Sequence, residues 1–301
     1  MLNQSVLRRG VSPNRRVAII QLNSGNNAQA NLETTHGLLV EALGKNPDVI
    51  VLPEYSNYMG DIETFTEAAA ERGSPWFSML SSFAAENKLE IIAGLLIQHN
   101  GEKAASMACH FRRDGSSGLE YQKIHLFDLY IPGGESYRES SRLAAGDHLA
   151  IGEISGILSG LAICYDLRFP ELFRRLALGG AKVIYVPAAF TTPTGILHWQ
   201  VLLQVRAIEN QVYIIAANQV GNYLKNKSSY GHSMIVDPRG KIIAEARGPE
   251  NETGGQVISA DVDLDELAAV RRDMPCLEHI RSDLWQEAWQ SQETLDKRSW
   301  L

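Results

Sequence analysis

Two hydrophobic rhythms alternate along this chain: short continuous apolar runs, and longer stretches with helical spacing. Val17 to Leu22 is an apolar run closed by the polar turn Asn23-Ser24-Gly25-Asn26-Asn27, which predicts a strand. From Ala28 to Leu43 the apolar positions, Leu32, Leu39 and Leu43 among them, fall at helical spacing, and Gly44 and Pro47 punctuate the end. Asp48 to Pro53 is a second apolar strand that runs into Glu54. These elements form a β-α-β unit whose strands should lie parallel with a right-handed crossover. Pro75 to Asn87 predicts a helix with Ser74 as its cap and Pro75 at its first position. Glu90 to Ile97 predicts a strand, and residues 105 to 125 predict two more around a turn from Arg113 to Gly118. A polar loop with Pro132, Gly133 and Gly134 follows, up to Gly146.

The pattern then repeats. Gly160 to Cys164 reads as a buried strand, Pro170 to Leu178 as a helix ended by Gly179-Gly180, and Lys182 to Val186 as the next strand. Leu197 to Asn210 has helical spacing that puts Trp199, Leu202, Leu203 and Ile208 broadly on one face. Val212 to Ala217 is a strand, and Ser233 to Val236 with Lys241 to Ala246 form a hairpin around Asp237-Pro238-Arg239-Gly240. Gln256 to Val262 is the last clear strand, followed by a short helix, Leu264 to Val270, and a polar tail. Neither a fixed-period repeat nor a low-complexity linker interrupts the alternation. One α/β domain with helices covering buried sheets is expected.

Composition narrows the partners. The 301 residues are 45% hydrophobic and 21% charged, as in soluble globular proteins. A formal charge of -7 offers no basic surplus for nucleic acid. No apolar run approaches a membrane span. The cysteines, Cys109, Cys164 and Cys276, lie far apart without zinc-site spacing, so free thiols in a reducing, cytoplasmic setting and no metal are expected. Residues 1–14 are set apart as a basic extension from a domain over 15–301. The first sixteen residues hold Arg8, Arg9, Arg15 and Arg16 and no acid, which reads either as a frayed basic start or as an organelle-targeting segment.

Cys164 is the candidate of most interest. It ends an apolar run directly before Tyr165-Asp166-Leu167-Arg168-Phe169-Pro170-Glu171. A thiol at a strand-to-helix junction is either a small buried apolar residue or a nucleophile, and the positive end of the following helix would favour its thiolate. A nucleophile needs a base and a positive group for the oxyanion. Glu54 ends its own strand at the sheet edge where ligands bind in α/β folds, and reads as a solvated cap or as a partly buried base. Lys123, flanked by Tyr121, Ile124 and Phe127, reads as a solvated lysine or as a buried cation. Glu139 sits in a loop with Glu135 as a nearby competitor.

Together these motifs resemble the nitrilase superfamily of carbon–nitrogen hydrolases over residues 15 to 285. Val51-Leu52-Pro53-Glu54 is similar to the family's base segment, Tyr121 to Leu126 to its lysine segment, and Gly160 to Glu171 to its nucleophile segment. Segments around Val186–Gly195, Arg206–Gln211, Ser229–Pro238 and Arg271–Pro275 resemble the Nit subgroup, which contains deaminated glutathione amidase and ω-amidase. Arg239 departs from that pattern, where the subgroup commonly has tryptophan.

The resemblance implies a four-layer α-β-β-α sandwich that forms a homodimer or higher even homo-oligomer. The tail, 274–301, with Trp285 and Trp289, would pack on the second subunit or form an amphipathic terminal helix. It implies a cofactor-free amidase that cleaves the terminal amide of a small, carboxylate-bearing, deaminated-glutathione-like substrate to acid and ammonia through a thioester. Glu54, Lys123, Glu139 and Cys164 would be catalytic, and the Tyr165 backbone N–H would help hold the oxyanion. Arg168 would hold the substrate carboxylate, or else cap structure beside Asp166. Phe190 and Thr194 would line the site, with Phe190 also readable as core. Nitrile or carbamoyl-amine hydrolysis, acyl transfer, and a catalytically silent binding partner are the rival readings.

Overall fold

In the computed structural model, residues 14–130, 137–249, 255–281 and 283–284 are described. The basic extension up to residue 13, Glu135, and Trp285 and Trp289 of the tail lie outside them. The first sheet contains β1 (Arg15–Gln21), β2 (Val49–Val51), β3 (Glu90–Gln98), β4 (Ala104–Phe111) and β5 (Ser117–Gln122), with β16 (Gln256–Val262) on its other edge. Short strands β6 (Asp128–Leu129) and β7 (Tyr137–Arg138) pair by themselves. The second sheet contains β8 (Ala150–Ile154), β9 (Ile157–Leu161), β10 (Val183–Ala188), β11 (Tyr213–Asn218), β14 (Met234–Val236) and β15 (Ile242–Glu245). Strands β12 (Val220–Leu224) and β13 (Lys227–Tyr230) form a separate hairpin.

Each sheet has the same plan. Three central strands run parallel, β1-β2-β3 in one sheet and β9-β10-β11 in the other, and the strands outside them are antiparallel. The β1–β2 and β9–β10 pairs are the two expected β-α-β units. Their helices are α1 (Ala28–Leu43) and, around the cysteine, α4 (Pro170–Leu178). The remaining helices are α2 (Phe65–Ala68), α3 (Pro75–Asn87), α5 (Thr192–Asn210) and α6 (Leu264–Asp273).

Alternation along β1 sorts the layers. Val17 and Ile19 join a core that includes Ile184, Val186 and Ile215 of the second sheet. Ala18 and Ile20 point the other way, into a core with Leu39 of α1 and Leu80 and Phe83 of α3. Leu172 and Phe173 of α4 and Trp199 and Leu203 of α5 cover the outer face of the second sheet. The architecture is therefore a four-layer α-β-β-α sandwich. Among the described residues no helix is long and apolar enough to cross a membrane.

Two local expectations are corrected. Helix α5 starts at Thr192, not Leu197: Thr191 is extended at the cap, and Pro193, which lacks an N–H, fits the first turn. Ile208 is 48% exposed rather than core-facing, because Trp199, Leu203, Arg206, Ala207 and Asn210 occupy the buried stripe. The hairpin β12–β13, the strands β6 to β8 and α2 carried no strong pattern in the sequence.

Candidate active site

The carboxyl ends of the parallel strands from both sheets meet. Leu22, just past β1, bridges Gln219, just past β11. Gln219 then donates to the Glu54 carbonyl oxygen at 2.9 Å and bonds Ser24 through both ends of its amide. Glu54 therefore leaves β2 at the seam between the sheets. Tyr55 turns the chain there with φ +59°, and Gly94 on β3 permits the close approach. A Cβ on Gly94 would lie 2.4 Å from the Pro53 carbonyl oxygen and 2.5 Å from Glu54 Cα.

Glu54 is fully rather than partly buried. Its Oε1 accepts from Lys123 Nζ at 2.9 Å and from Ser106 Oγ at 2.8 Å, and its Oε2 from the Ala189 N–H at 3.2 Å. Lys123 follows β5 and is also fully buried. Its ammonium bridges Glu54 and Glu139, with 2.9 Å to Glu139 Oε2 and 3.0 Å to Oε1. Glu139 is no solvated loop acid: it is 3% exposed and opens a 3₁₀ turn, Glu139–Ser141, directly after β7. It also accepts from Tyr55 Oη at 3.0 Å and from the Phe127 N–H at 2.6 Å.

Electrostatics follow from this burial. Desolvation alone would push the Lys123 ammonium down, but Glu139, Glu54 and Cys164 outweigh it and hold the pKa well above the usual lysine value. Burial pushes the Glu139 carboxyl up; Lys123 opposes that and Glu54 adds to it, leaving a net rise. Two carboxylates and one ammonium thus share a dry space, with each side chain fixed by more than one hydrogen bond.

Cys164 lies past the end of β9 with φ +47°, a left-handed conformation unfavourable for a side chain with a Cβ. The Asp166 carboxylate holds this elbow. It accepts from the Ile163 N–H at 2.9 Å, Tyr121 Oη at 2.7 Å and the His125 N–H at 3.1 Å, and it bonds His125 Nδ1 at 2.7 Å. Tyr121 and His125 flank Lys123, so one buried aspartate ties the cysteine turn to the lysine segment. The His125 ring stacks on Phe169 at 3.6 Å between centroids. On the far side, Arg206 donates twice to the Leu167 carbonyl oxygen, at 3.1 and 2.8 Å.

The expected thiolate is corrected. A 3₁₀ turn, Cys164–Arg168, separates the sulfur from α4, so no long helix dipole points at it. Burial and then Glu54 push the Cys164 thiol well above its ordinary value, with Lys123 and the Ala189 N–H pulling the other way. That direction favours the thiol over the thiolate and gives a neighbouring base a part to play.

Cys164 stands where two hollows meet. A cleft of ≈ 320 Å³ is lined by Glu54, Tyr55, Glu139, Cys164, Tyr137 and Lys227, among others. A smaller recess of ≈ 20 Å³ is lined by Cys164, Tyr165, Arg168, Phe190 and Thr194, among others. Phe190 serves as core as well, 5.1 Å from the Trp199 ring. Arg168 lies over Phe190 at 5.1 Å and Tyr165 at 5.8 Å, with His198 Nδ1 at 3.3 Å. It does not pair with Asp166, whose oxygens are taken, and among the described residues it makes no ion pair with a carboxylate. Tyr55, Ser106 and the hairpin residues Tyr223, Asn226, Lys227 and Ser228 reach the site or its acids without a recognisable sequence signal. Tyr55, next to Glu54, was the nearest to legible.

Residues 16–272 match the family model for carbon-nitrogen hydrolases. The chain belongs to that family. Deaminated glutathione amidase of Synechocystis sp. PCC 6803 is 38% identical over 268 residues, 87% of this chain and 96% of that protein. Omega-amidase NIT2 of Bos taurus is 32% identical, across 90% of this chain and 96% of the relative. Among solved members of the superfamily, the C. elegans NitFhit protein superposes with a TM-score of 0.83 at 31% identity, covering 91% of this chain and 66% of that one. Nit3 of Saccharomyces cerevisiae, a branch 10 member, superposes with a TM-score of 0.76 at 29% identity, covering 87% of this chain and 95% of that one.

Proposed function

We propose that this carbon–nitrogen hydrolase cleaves the amide of a small carboxylate-bearing substrate, resembling deaminated glutathione, through a thioester on Cys164. The observation that carries this reading is that Glu54 and Glu139, bridged by the buried Lys123, line the same cleft as a strained cysteine. Relatives named deaminated glutathione amidase and omega-amidase support it.

Glu54 takes the thiol proton as Sγ bonds to the carbonyl carbon. Lys123 and the Tyr165 backbone N–H receive the oxyanion. As the C–N bond breaks, Glu54 returns the proton to the departing nitrogen. Water, deprotonated by Glu54, then adds to the thioester; the acid leaves and the proton ends on sulfur. Glu139 fixes the position of Lys123. One oxyanion donor is worth about 3 kcal/mol of barrier, and a positioned base about 10²–10⁴-fold in rate.

Product release from deaminated glutathione, α-ketoglutaramate, succinamate, simple nitriles and N-carbamoyl amino acids, assayed side by side, tests the reaction class. Turnover of nitriles or carbamoyl amines in preference to every amide would sink this reading. A short ω-amide, the omega-amidase substrate type, is the second possibility the same panel decides. Arg168 would hold the substrate's own carboxylate in a bidentate contact, a reading supported by its having no ion pair with any described carboxylate. Arg168→Ala should raise KM by about tenfold or more for carboxylate-bearing amides. An equal rise for neutral amides would remove Arg168 from that role.

We also propose that the chain pairs with a second copy. In support, α5 presents Ile196, Leu197, Val201, Val205 and Ile208 to solvent at 39–68% exposure, a wide apolar stripe for a free surface. Sedimentation should give a dimer for the wild type and a monomer for Leu197→Asp/Val201→Asp. An unchanged mass would place the pairing elsewhere or nowhere.

A further inference from the structure

We infer that Ser106 is a positioning residue for Glu54: it fixes the carboxylate so that Oε2, and not Oε1, carries the proton to and from the Cys164 side. This rests on the amidase reading above and gives the two oxygens of its base separate tasks.

The strand that carries Ser106 supplies no packing reason for a hydroxyl. All eight residues of β4 are buried. Ala105, Met107 and Cys109 face the core that α1 and α3 cover, so by alternation Ser106 shares with Ala108 the face toward the second sheet. Ser106 is fully buried there, and a hydroxyl in such a place costs stability unless it finds a partner. Both of its partners belong to the site. Ser106 Oγ donates to Glu54 Oε1 at 2.8 Å, and the Ser106 carbonyl oxygen accepts from the Lys123 N–H at 2.9 Å. One residue of β4 thus grips the base through its side chain and the lysine through its backbone.

The two oxygens of Glu54 are held unequally. Oε1 accepts from Lys123 Nζ at 2.9 Å as well as from Ser106. Among the described residues Oε2 accepts only the longer bond from the Ala189 N–H, at 3.2 Å. That same N–H also reaches the Cys164 sulfur. Oε2 and Sγ therefore flank one hydrogen, and Oε2 is the oxygen beside the thiol. Donor chemistry agrees with this placement. An ammonium has no acceptor, and a serine hydroxyl has a single proton. A proton on Oε1 would face the Lys123 ammonium and displace the Ser106 hydrogen. A proton on Oε2 leaves both donors in place, because Oε1 then accepts as a carbonyl oxygen. The thiol proton moves from Sγ to Oε2 as the Sγ–C bond forms, and from Oε2 to the departing nitrogen as the C–N bond breaks. Ser106 keeps its own proton throughout.

The test follows succinamate hydrolysis, and separately the alkylation of Cys164 by iodoacetamide, read by mass on the peptide that contains it. Wild type, Ser106→Ala and Ser106→Thr are compared, each well below its own Tm. Ser106→Ala should lower kcat by about tenfold with KM within about twofold, and should slow Cys164 alkylation by a similar factor. Ser106→Thr, which keeps a hydroxyl, should recover most of both rates. The direction of the alkylation change is decisive, because a carboxylate that loses a donor becomes more basic. An effect through basicity alone would speed alkylation, whereas a carboxylate that has lost its aim slows it. Alkylation of Ser106→Ala as fast as wild type, or faster, overturns the assignment. So does a Thr variant no better than the Ala variant. A raised KM with kcat retained overturns it as well and leaves Ser106 a structural residue of β4. Absence of wild-type turnover on succinamate and on deaminated glutathione would remove the amidase reading, and the alkylation rates would still decide whether Ser106 aims Glu54 at the sulfur.

Discussion

Cys164→Ala is expected to leave less than about one ten-thousandth of wild-type amide turnover, with thermal stability nearly unchanged. In the proposed route the acyl group is carried on this sulfur, so removing it removes the covalent route rather than weakening it. The fold should tolerate the change. Cys164 is 8% exposed beside open clefts, so losing one atom makes little closed cavity, and the stability cost should stay within about 1 kcal/mol. Cys164→Ser should be equally inactive, because Glu54 would then have to deprotonate an alcohol, a far weaker acid than a thiol in the same surroundings. Near-normal product release by either variant, with purity checked by mass, would refute the thioester route. Full retention by both would favour a silent binding role with a contaminating activity.

Lys123→Met is expected to cost stability as well as activity. The ammonium separates two fully buried carboxylates and bonds both. Removing one partner from a buried ionic set costs about 3–5 kcal/mol, since the charges left behind have neither solvent nor partner. Turnover should fall by at least about 10²-fold from the lost oxyanion donor alone. The pH dependence distinguishes this from ordinary core damage. Glu139 already sits above the usual carboxylate value through burial, with Lys123 holding it down and Glu54 pushing it up. Without Lys123 it rises further. A carboxyl raised on folding stabilises the fold fully below its unfolded pKa of about 4.3, and that contribution is lost as pH rises through the folded value. The Tm deficit of Lys123→Met relative to wild type should therefore be smaller at about pH 5 than at about pH 8. Equal deficits at both pH values, or a deficit below about 1 kcal/mol, would count against a charged Glu54–Lys123–Glu139 set.

Much of this was readable before folding. The helices α1, α3 and α4 and the strand β16 begin and end where the apolar spacing and the punctuating Pro and Gly put them. Glu54 and Cys164 were both legible as strand-end residues, and at strand ends in parallel sheets ligands gather. Glu139 was not, because a loop acid looks the same on paper whether it is solvated or folded inward. Its burial depends on the short β6–β7 pair and on contacts with Tyr55, Phe127 and Lys123 from other segments. The cysteine's ionisation was misjudged for a related reason. A helix dipole can be anticipated locally, but desolvation is the sum of everything packed around the sulfur.

The sequence by itself determined the alternation of strands and helices, the family, and which residues could carry nucleophilic chemistry, since periodicity and residue type are local properties. Only the tertiary structure decided the rest. It brought strand ends from two sheets to one seam, where Gln219 joins Ser24 to Glu54. It made Asp166 the clamp between the cysteine turn and the lysine segment, and it placed Arg168 and Lys227 in different hollows around one sulfur. Those outcomes depend on contacts between positions far apart in the chain, and no run of neighbouring residues encodes the dielectric or the partners that each charge will meet.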